Sequence, residues 1–439
     1  MTDTQRALPT SRSRRAALKA LVANGIAIPS ICLLNAVAAA ALPLQPPAPC
    51  LHGNSAASSS QDVHPNVTAR GFSDPVLELI RLLRNAADIE HASLLQYTYS
   101  AFSLKAEYEG ISGYYSDDSM SLLAIAIEKM IRFGTVNRML VALGAPPRLM
   151  PPSFPFKSDA EPLTFNLEPL SREALARFIY RESPQALFDT KSIDLPDGAF
   201  VATICEMLGV PPREAANIYT AIEGVAGELS RSSGVELPDI TRWTDALRLL
   251  EDRGREGRFE FLKELFLGSH SVFAGHGDAW RLPMTDSRYP SYGTIRSPTE
   301  YLAQPSQESD SATHALARLG DLQYGTALLL LDLYFRHHLP IYRSLAVTHM
   351  MGPVRAVGKH LPRLGVGMPF EAIDAPDSSA LDAKHRLRFV TALLQEGQTV
   401  AETIGPRLPF DYPLSVNRDT MAKLREMDAR NEAGSTRPR

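Results

Sequence analysis

Cysteine is scarce in this chain, three residues among 439, and none sits in a CxxC or similar spacing. That excludes a disulfide scaffold and a cysteine-ligated metal site. Lys/Arg runs are absent beyond the extreme N-terminus and the formal charge is −4. The sequence-independent phosphate attraction of nucleic-acid binders is therefore missing, and nucleic acid is set aside as a partner. Period-two alternation of apolar and polar residues is nearly absent, which argues against a sheet protein. No HExxH, P-loop, strand-borne GxGxxG or GxSxG occurs, so the chemistries those motifs carry have no support. What is present is an ordinary globular balance, 44% apolar and 21% charged, enough to bury a sizeable core.

The N-terminus reads as an address. Arg14-Arg15 precede an uncharged stretch from Ala20 to about Leu44 that closes in the Ala-rich segment 36–41, the pattern of an export signal. It resembles the twin-arginine class, with Ala17 where Phe is usual, and small residues around Ala39 and Ala41 offer cleavage points. The alternative is an uncleaved anchor, since an apolar run of about 20 residues can span a bilayer. Either way the expected location is periplasmic or secreted, with membrane contact only during export or through an uncleaved signal. Removing residues 1–41 takes away Arg6, Arg12, Arg14, Arg15 and Lys19 against Asp3 alone, which leaves an acidic body. Cys32 goes with the signal, so Cys50 and Cys205 are the one pair an oxidising compartment could join.

Residues 42–73 read as a flexible linker rich in Pro, Ser, Ala and Gly. The folded body begins at Asp74-Pro75, an N-cap followed by Pro at the first helical position. One long helix is expected to about Lys105 and a second over about 119–143, stopped by Gly144-Ala145-Pro146-Pro147. A proline-rich crossover follows, then a short helix capped by Ser171, further helices at about 212–231 and 239–254, and buried helices over 312–338, 340–351 and 379–404. A charged tail from Asp419 is expected to fray into solvent. The body is thus all-α, a bundle over 74–280 with an additional helical region over 281–418.

Two charged positions interrupt the apolar faces. Leu79, Leu83, Ala86, Glu90, Leu94, Tyr97 and Ala101 recur at three- and four-residue intervals and form one helix face. A carboxylate in the middle of that face needs a cation, a metal or a donor, because burying it unpaired is costly. The second helix carries the opposite sign: Leu122, Ile125, Lys129, Arg132, Val136, Met139 and Leu143 also share a stripe. Glu90 facing Lys129 and Arg132 suggests an internal ion-pair network. Tyr97, Tyr99 and Phe102 read as core packing. His337, His338 and His349, near the end of an apolar helix, read as surface or capping residues.

The stretch Ile89-Glu90-His91-Ala92-Ser93-Leu94-Leu95-Gln96-Tyr97, the run 135–144, and the segments 167–171 and 179–182 resemble the ferritin-like domain of the iminophenyl-pyruvate dimer synthase family, associated with violacein and rebeccamycin biosynthesis. The resemblance covers roughly residues 74–280. It implies a ferritin-like four-helix bundle whose facing helices carry Glu and Glu-x-x-His ligands for one or two iron ions. Carried over by position, Glu90 matches the first-helix ligand, Glu223 the third and Glu251 the fourth. The second helix departs from the pattern: where the family has Ile-Ala-x-Glu-Glu-Met-x-His, this chain has Ile125-Ala126-Ile127-Glu128-Lys129-Met130-Ile131-Arg132. Both expected ligands there have become cations, which have no lone pair to offer a metal. Two readings stay open. In one, a salt-bridge network of Glu90, Lys129 and Arg132 replaces the di-metal centre and the protein is a metal-free binding or structural bundle for a small-molecule or protein partner. In the other, Glu223 and Glu251 with His270, or else His276, hold a single metal ion, iron or alternatively manganese or zinc, and the protein is an oxidoreductase-type enzyme.

Overall fold

The computed structural model describes residues 69–113, 120–189, 192, 194–214, 217–231, 240–293, 311–373 and 383–435, with side chains at 243–244, 249–256 and a few other positions inside those ranges left aside. The export signal, residues 42–68 of the linker and Cys50 lie outside the described residues.

The helices begin and end where local chemistry dictates. Helix α1 (Pro75–Phe102) starts on Asp74, whose Oδ1 accepts from the amides of Val76 and Leu77 at 2.9 Å each. Helix α2 (Leu122–Ala142) starts on Ser121, whose Oγ accepts from Ala124, and stops before Gly144 at φ +77°, a left-handed conformation that glycine adopts without a Cβ penalty. Ser171 caps α3 (Arg172–Glu182) in the same way. Helix α4 (Pro196–Leu208) lies where no helix is expected from the sequence, α5 spans Ile218–Arg231, and α6 spans Ile240–Leu267. Helix α6 runs a dozen residues past its expected end because Phe259, Leu262, Leu265 and Phe266 all bury. That burial outweighs the roughly 1 kcal/mol that each of Gly254 and Gly257 costs a helix.

Helices α1, α2, α5 and α6 form the bundle, with α3 packed against α6. No strand occurs among the described residues, only two isolated bridges. The core divides along the bundle axis. Leu79 to Ala92 of α1 join Phe133 to Leu140 of α2 and Ile218 to Leu229 of α5 in one apolar cluster. Leu94 to Phe102 join Leu122 to Ala126 of α2, Phe178 of α3 and Leu262 of α6 in another. The charged residues of α1 and α2 lie at the seam between them.

The C-terminal region continues with α7 (Ser311–His337), α8 (Pro340–His349), a π-helical turn at Met350–Val354, α9 (Arg355–His360), α10 (Ala383–Ile404) and α11 (Val416–Ser435). Pro353 inside the π turn has no N–H for the α-helical ladder, a recurrent reason for a helix to widen or kink. Two expectations are corrected here. The tail from Asp419 is helical to Ser435, because Met421 and Leu424 bury against α8 and α10. His349 is fully buried rather than a surface or capping residue: Nδ1 meets Gln323 Oε1 at 2.7 Å and Nε2 meets Thr420 Oγ1 at 3.1 Å. Gln323 Nε2 donates onward to Asn417 Oδ1 and Tyr412 OH, so a satisfied polar network ties α7, α8 and α11 together.

Candidate functional site

At the seam of the bundle, charged side chains from four helices converge. Lys129 and Arg132, one turn apart on α2, both point inward and are 8% and 3% exposed. Glu90 on α1 is 2% exposed; its Oε1 lies 3.7 Å from Arg132 Nη1 and accepts from the Tyr219 hydroxyl of α5. Lys129 Nζ pairs with Glu182, the last residue of α3, at 2.8 Å. Arg258 of α6, wholly buried, donates from Nε to the other oxygen of Glu182 at 2.7 Å and from Nη1 to Glu128. Tyr97 OH adds a contact of 3.2 Å to Glu182 Oε1.

The electrostatics follow from this packing. Burial alone would raise the Glu182 carboxyl, but Lys129, Arg258 and Arg132 hold it well below the usual carboxylate range. Burial pulls the Lys129 ammonium down, opposed by Glu182. Arg258 is raised, because Glu182 and Glu128 outweigh its desolvation. Burial and the neighbouring Glu182 charge push the Tyr97 phenol well above its ordinary value, so it stays a donor.

Glu90, Lys129 and Arg132 are brought to one centre. The residues suggested as metal ligands are not seen to join it. Glu223 lies half-buried on α5 and pairs with Arg248, which donates from Nε at 2.8 Å. His270 follows the end of α6, where its Nδ1 accepts from Val272 N at 3.3 Å and its ring packs edge-on to Phe261. No hydrogen bond or ion pair among the described residues links Glu223 to His270. Glu251 is on α6 with its side chain outside the described residues. No grouping of three or more His, Cys, Asp or Glu suited to a metal occurs among the described residues.

Glu182 and Arg258 belong to the centre and were not singled out from the sequence. Each has the signal that marked Glu90. Leu175, Phe178, Ile179 and Glu182 continue one face of α3, and Arg258, Leu262 and Leu265 one face of α6. Among the described residues, the carboxylates gathered here are paired with cations. Both second-helix ligand positions carry cations, and both oxygens of Glu182 are already taken by Lys129 and Arg258.

Residues 83–241 match a family model described as ferritin-like. Among curated proteins, the chain is 31% identical over 227 residues to a dichlorochromopyrrolate synthase of Lentzea aerocolonigenes, an alignment covering 46% of this chain and 20% of that protein. It is 32% identical over 190 residues to a 2-imino-3-(indol-3-yl)propanoate dimerase of Chromobacterium violaceum, covering 37% of this chain and 16% of the relative. The chain therefore spans about a fifth or less of the length of the curated relatives it matches. No solved structure matches it.

Proposed function

We propose, for a chain whose all-α body contains a ferritin-like domain resembling that of the iminophenyl-pyruvate dimer synthases, that side-chain cations hold the bundle centre where such domains place metal. On this reading the protein is exported and acts by binding a small-molecule or protein partner, without metal-dependent oxidation. One observation carries it: Glu182 is shared by the Lys129 ammonium at 2.8 Å and the Arg258 guanidinium at 2.7 Å, at the level of Glu90 and Arg132. A cation placed there would meet three positive side chains before it met a free carboxylate pair. The rival reading, one iron on Glu223, Glu251 and His270, has Glu223 engaged by Arg248 and His270 in a turn beyond the end of α6.

Elemental analysis tests the proposal. The wild-type protein, purified without chelators from iron-replete cells, should carry no stoichiometric transition metal, beside a Lys129→Glu, Arg132→His variant as the probe of scaffold competence. About one tightly bound iron or manganese per wild-type chain would overturn the metal-free reading and direct work to Glu223, Glu251 and His270. Export is tested separately: Arg14→Lys with Arg15→Lys should hold the protein in the cytoplasm.

A further inference from the structure

Apart from the charged seam, one stretch of irregular backbone runs through the interior rather than over the surface. Residues 367–373 follow α9 without forming helix or strand, and Gly367, Met368, Pro369 and Phe370 are all buried. Connections ordinarily stay outside, because buried backbone needs partners that water would otherwise supply. Here glycines make the room. A Cβ on Gly320 of α7 would lie 2.6 Å from Met368 Sδ, and one on Gly367 would collide with the Tyr99 hydroxyl of α1. The stretch is thus a strap pressed onto α1 and α7. Phe370 within it stands at φ +54°, a left-handed conformation that a bulky side chain rarely adopts. Its ring lies edge-on to Tyr324 of α7, with centroids 5.1 Å apart.

A single carboxyl holds the strap backbone. Asp321 of α7, 8% exposed, accepts from Glu371 N at 3.1 Å, and the Phe370 amide serves the same group. The titratable groups around it are Glu371 on the strap, Tyr324 one turn along α7 and, beyond the Tyr324 hydroxyl, His91 Nε2 of α1. No cation among the described residues pairs with Asp321. The two amides favour the ionised form, but burial and the Glu371 charge outweigh them and push the carboxyl well above its ordinary range.

We propose that this strap is a latch, closed by the protonated Asp321 carboxyl and released when that carboxyl ionises, which bares the Tyr324–His91 contact between α7 and α1. The closed strap binds a proton that the open strap gives up to water, so low pH favours the closed form. Opening becomes easier as pH rises from the ordinary carboxylate range and levels off above the pH at which the closed carboxyl ionises. Opening also frees Phe370 from its left-handed backbone. The latch depends on neither reading of the seam, and its test involves no metal.

Amide hydrogen exchange of the full chain, from about pH 5 to about pH 9, is the test. Rates are expressed as protection relative to the same sequence unstructured, so the intrinsic pH dependence of exchange cancels. Protection of the Gly367, Met368, Phe370 and Glu371 amides should fall about tenfold per pH unit until the closed carboxyl is ionised, the slope of one released proton. Amides of α2 should keep theirs over the same interval. Asp321→Asn fixes the latch in its neutral form, so its strap protection should be independent of pH and exceed that of wild type by about tenfold or more at the top of the series. Should that variant not fold, the ¹³C resonance of the wild-type Asp321 carboxyl decides, and it should titrate along the same curve as the loss of protection. Strap protection that does not change with pH overturns the proposal, as does an equal slope in a folded Asp321→Asn protein. Simultaneous loss of protection in the strap and α2, the mark of whole-bundle unfolding, overturns it as well.

Discussion

Replacing Glu182 by Gln isolates the central interaction of the seam. The amide keeps the shape of the side chain and removes its charge, while Lys129 and Arg258 remain 8% and 0% exposed. Removing one partner of a buried ion pair costs about 3–5 kcal/mol, because the other charge is left uncompensated. Here one carboxylate serves two cations, at 2.8 and 2.7 Å, which places Glu182→Gln in the upper part of that range, about 4–5 kcal/mol. Lys129→Met should cost less, about 1–3 kcal/mol, since Glu182 keeps Arg258 and the Tyr97 hydroxyl. The double variant should recover part of the Glu182→Gln loss, a coupling of about 1–3 kcal/mol. The pH dependence has a definite sign. Burial opposes ionisation of Glu182, yet Lys129 and Arg258 hold its carboxyl well below the ordinary value. Its contribution is therefore present above the unfolded carboxylate range and is lost as pH falls toward the folded value. Urea denaturation followed by circular dichroism, in a pH series, measures all three quantities. A Glu182→Gln protein within about 1 kcal/mol of wild type, the range of a solvent-exposed pair, would refute the reasoning.

The buried histidines set a second acid limb. Burial lowers His349 to about 4 and His91 to about 3, so both are neutral in the folded protein and the unfolded chain takes up protons first as pH falls below about 6.5. Stability should drop by about 2 kcal/mol per histidine at pH 5, with His349→Gln flattening the fall of Tm between pH 6.5 and 4; an unchanged slope would show that His349 is not the group responsible. Gly358→Ala should lower Tm although alanine favours helix by about 1 kcal/mol, because the new Cβ would lie 2.3 Å from the Phe102 ring; a rise in Tm would mean that α9 can move off α1. Asp74→Ala should cost about 1 kcal/mol in the same assay by leaving the Val76 and Leu77 amides without their acceptor.

Much of the bundle was legible because its signals are local. Asp74-Pro75, Ser171 and Gly144-Ala145-Pro146 fix helix ends within a few residues, and the intervals around Glu90 and around Lys129 and Arg132 already turn those side chains inward. Glu182 and Arg258 escaped because their meaning is non-local: α3 begins 70 residues after α1 ends, and only the tertiary fold brings its last residue to Lys129. The extension of α6 through two glycines, the burial of His349 and the helical tail share this cause. In each, burial in a distant contact outweighs a composition that reads as loop, cap or solvated end.

The position of Glu182 also bears on which stretch of chain can fold alone. It closes α3, and its two cations come from α2 and from the second half of α6. A fragment cut to the ferritin-like match at 83–241 would lose Arg258 and nearly all of α6, leaving Lys129 as the carboxylate's one cation at that point, and would lose the N-cap of α1 as well. A piece that keeps these contacts therefore begins at or before Asp74 and runs past Arg258: trimming at the C-terminal side breaks an ion pair in the middle of the bundle, and trimming at the N-terminal side removes the cap of α1.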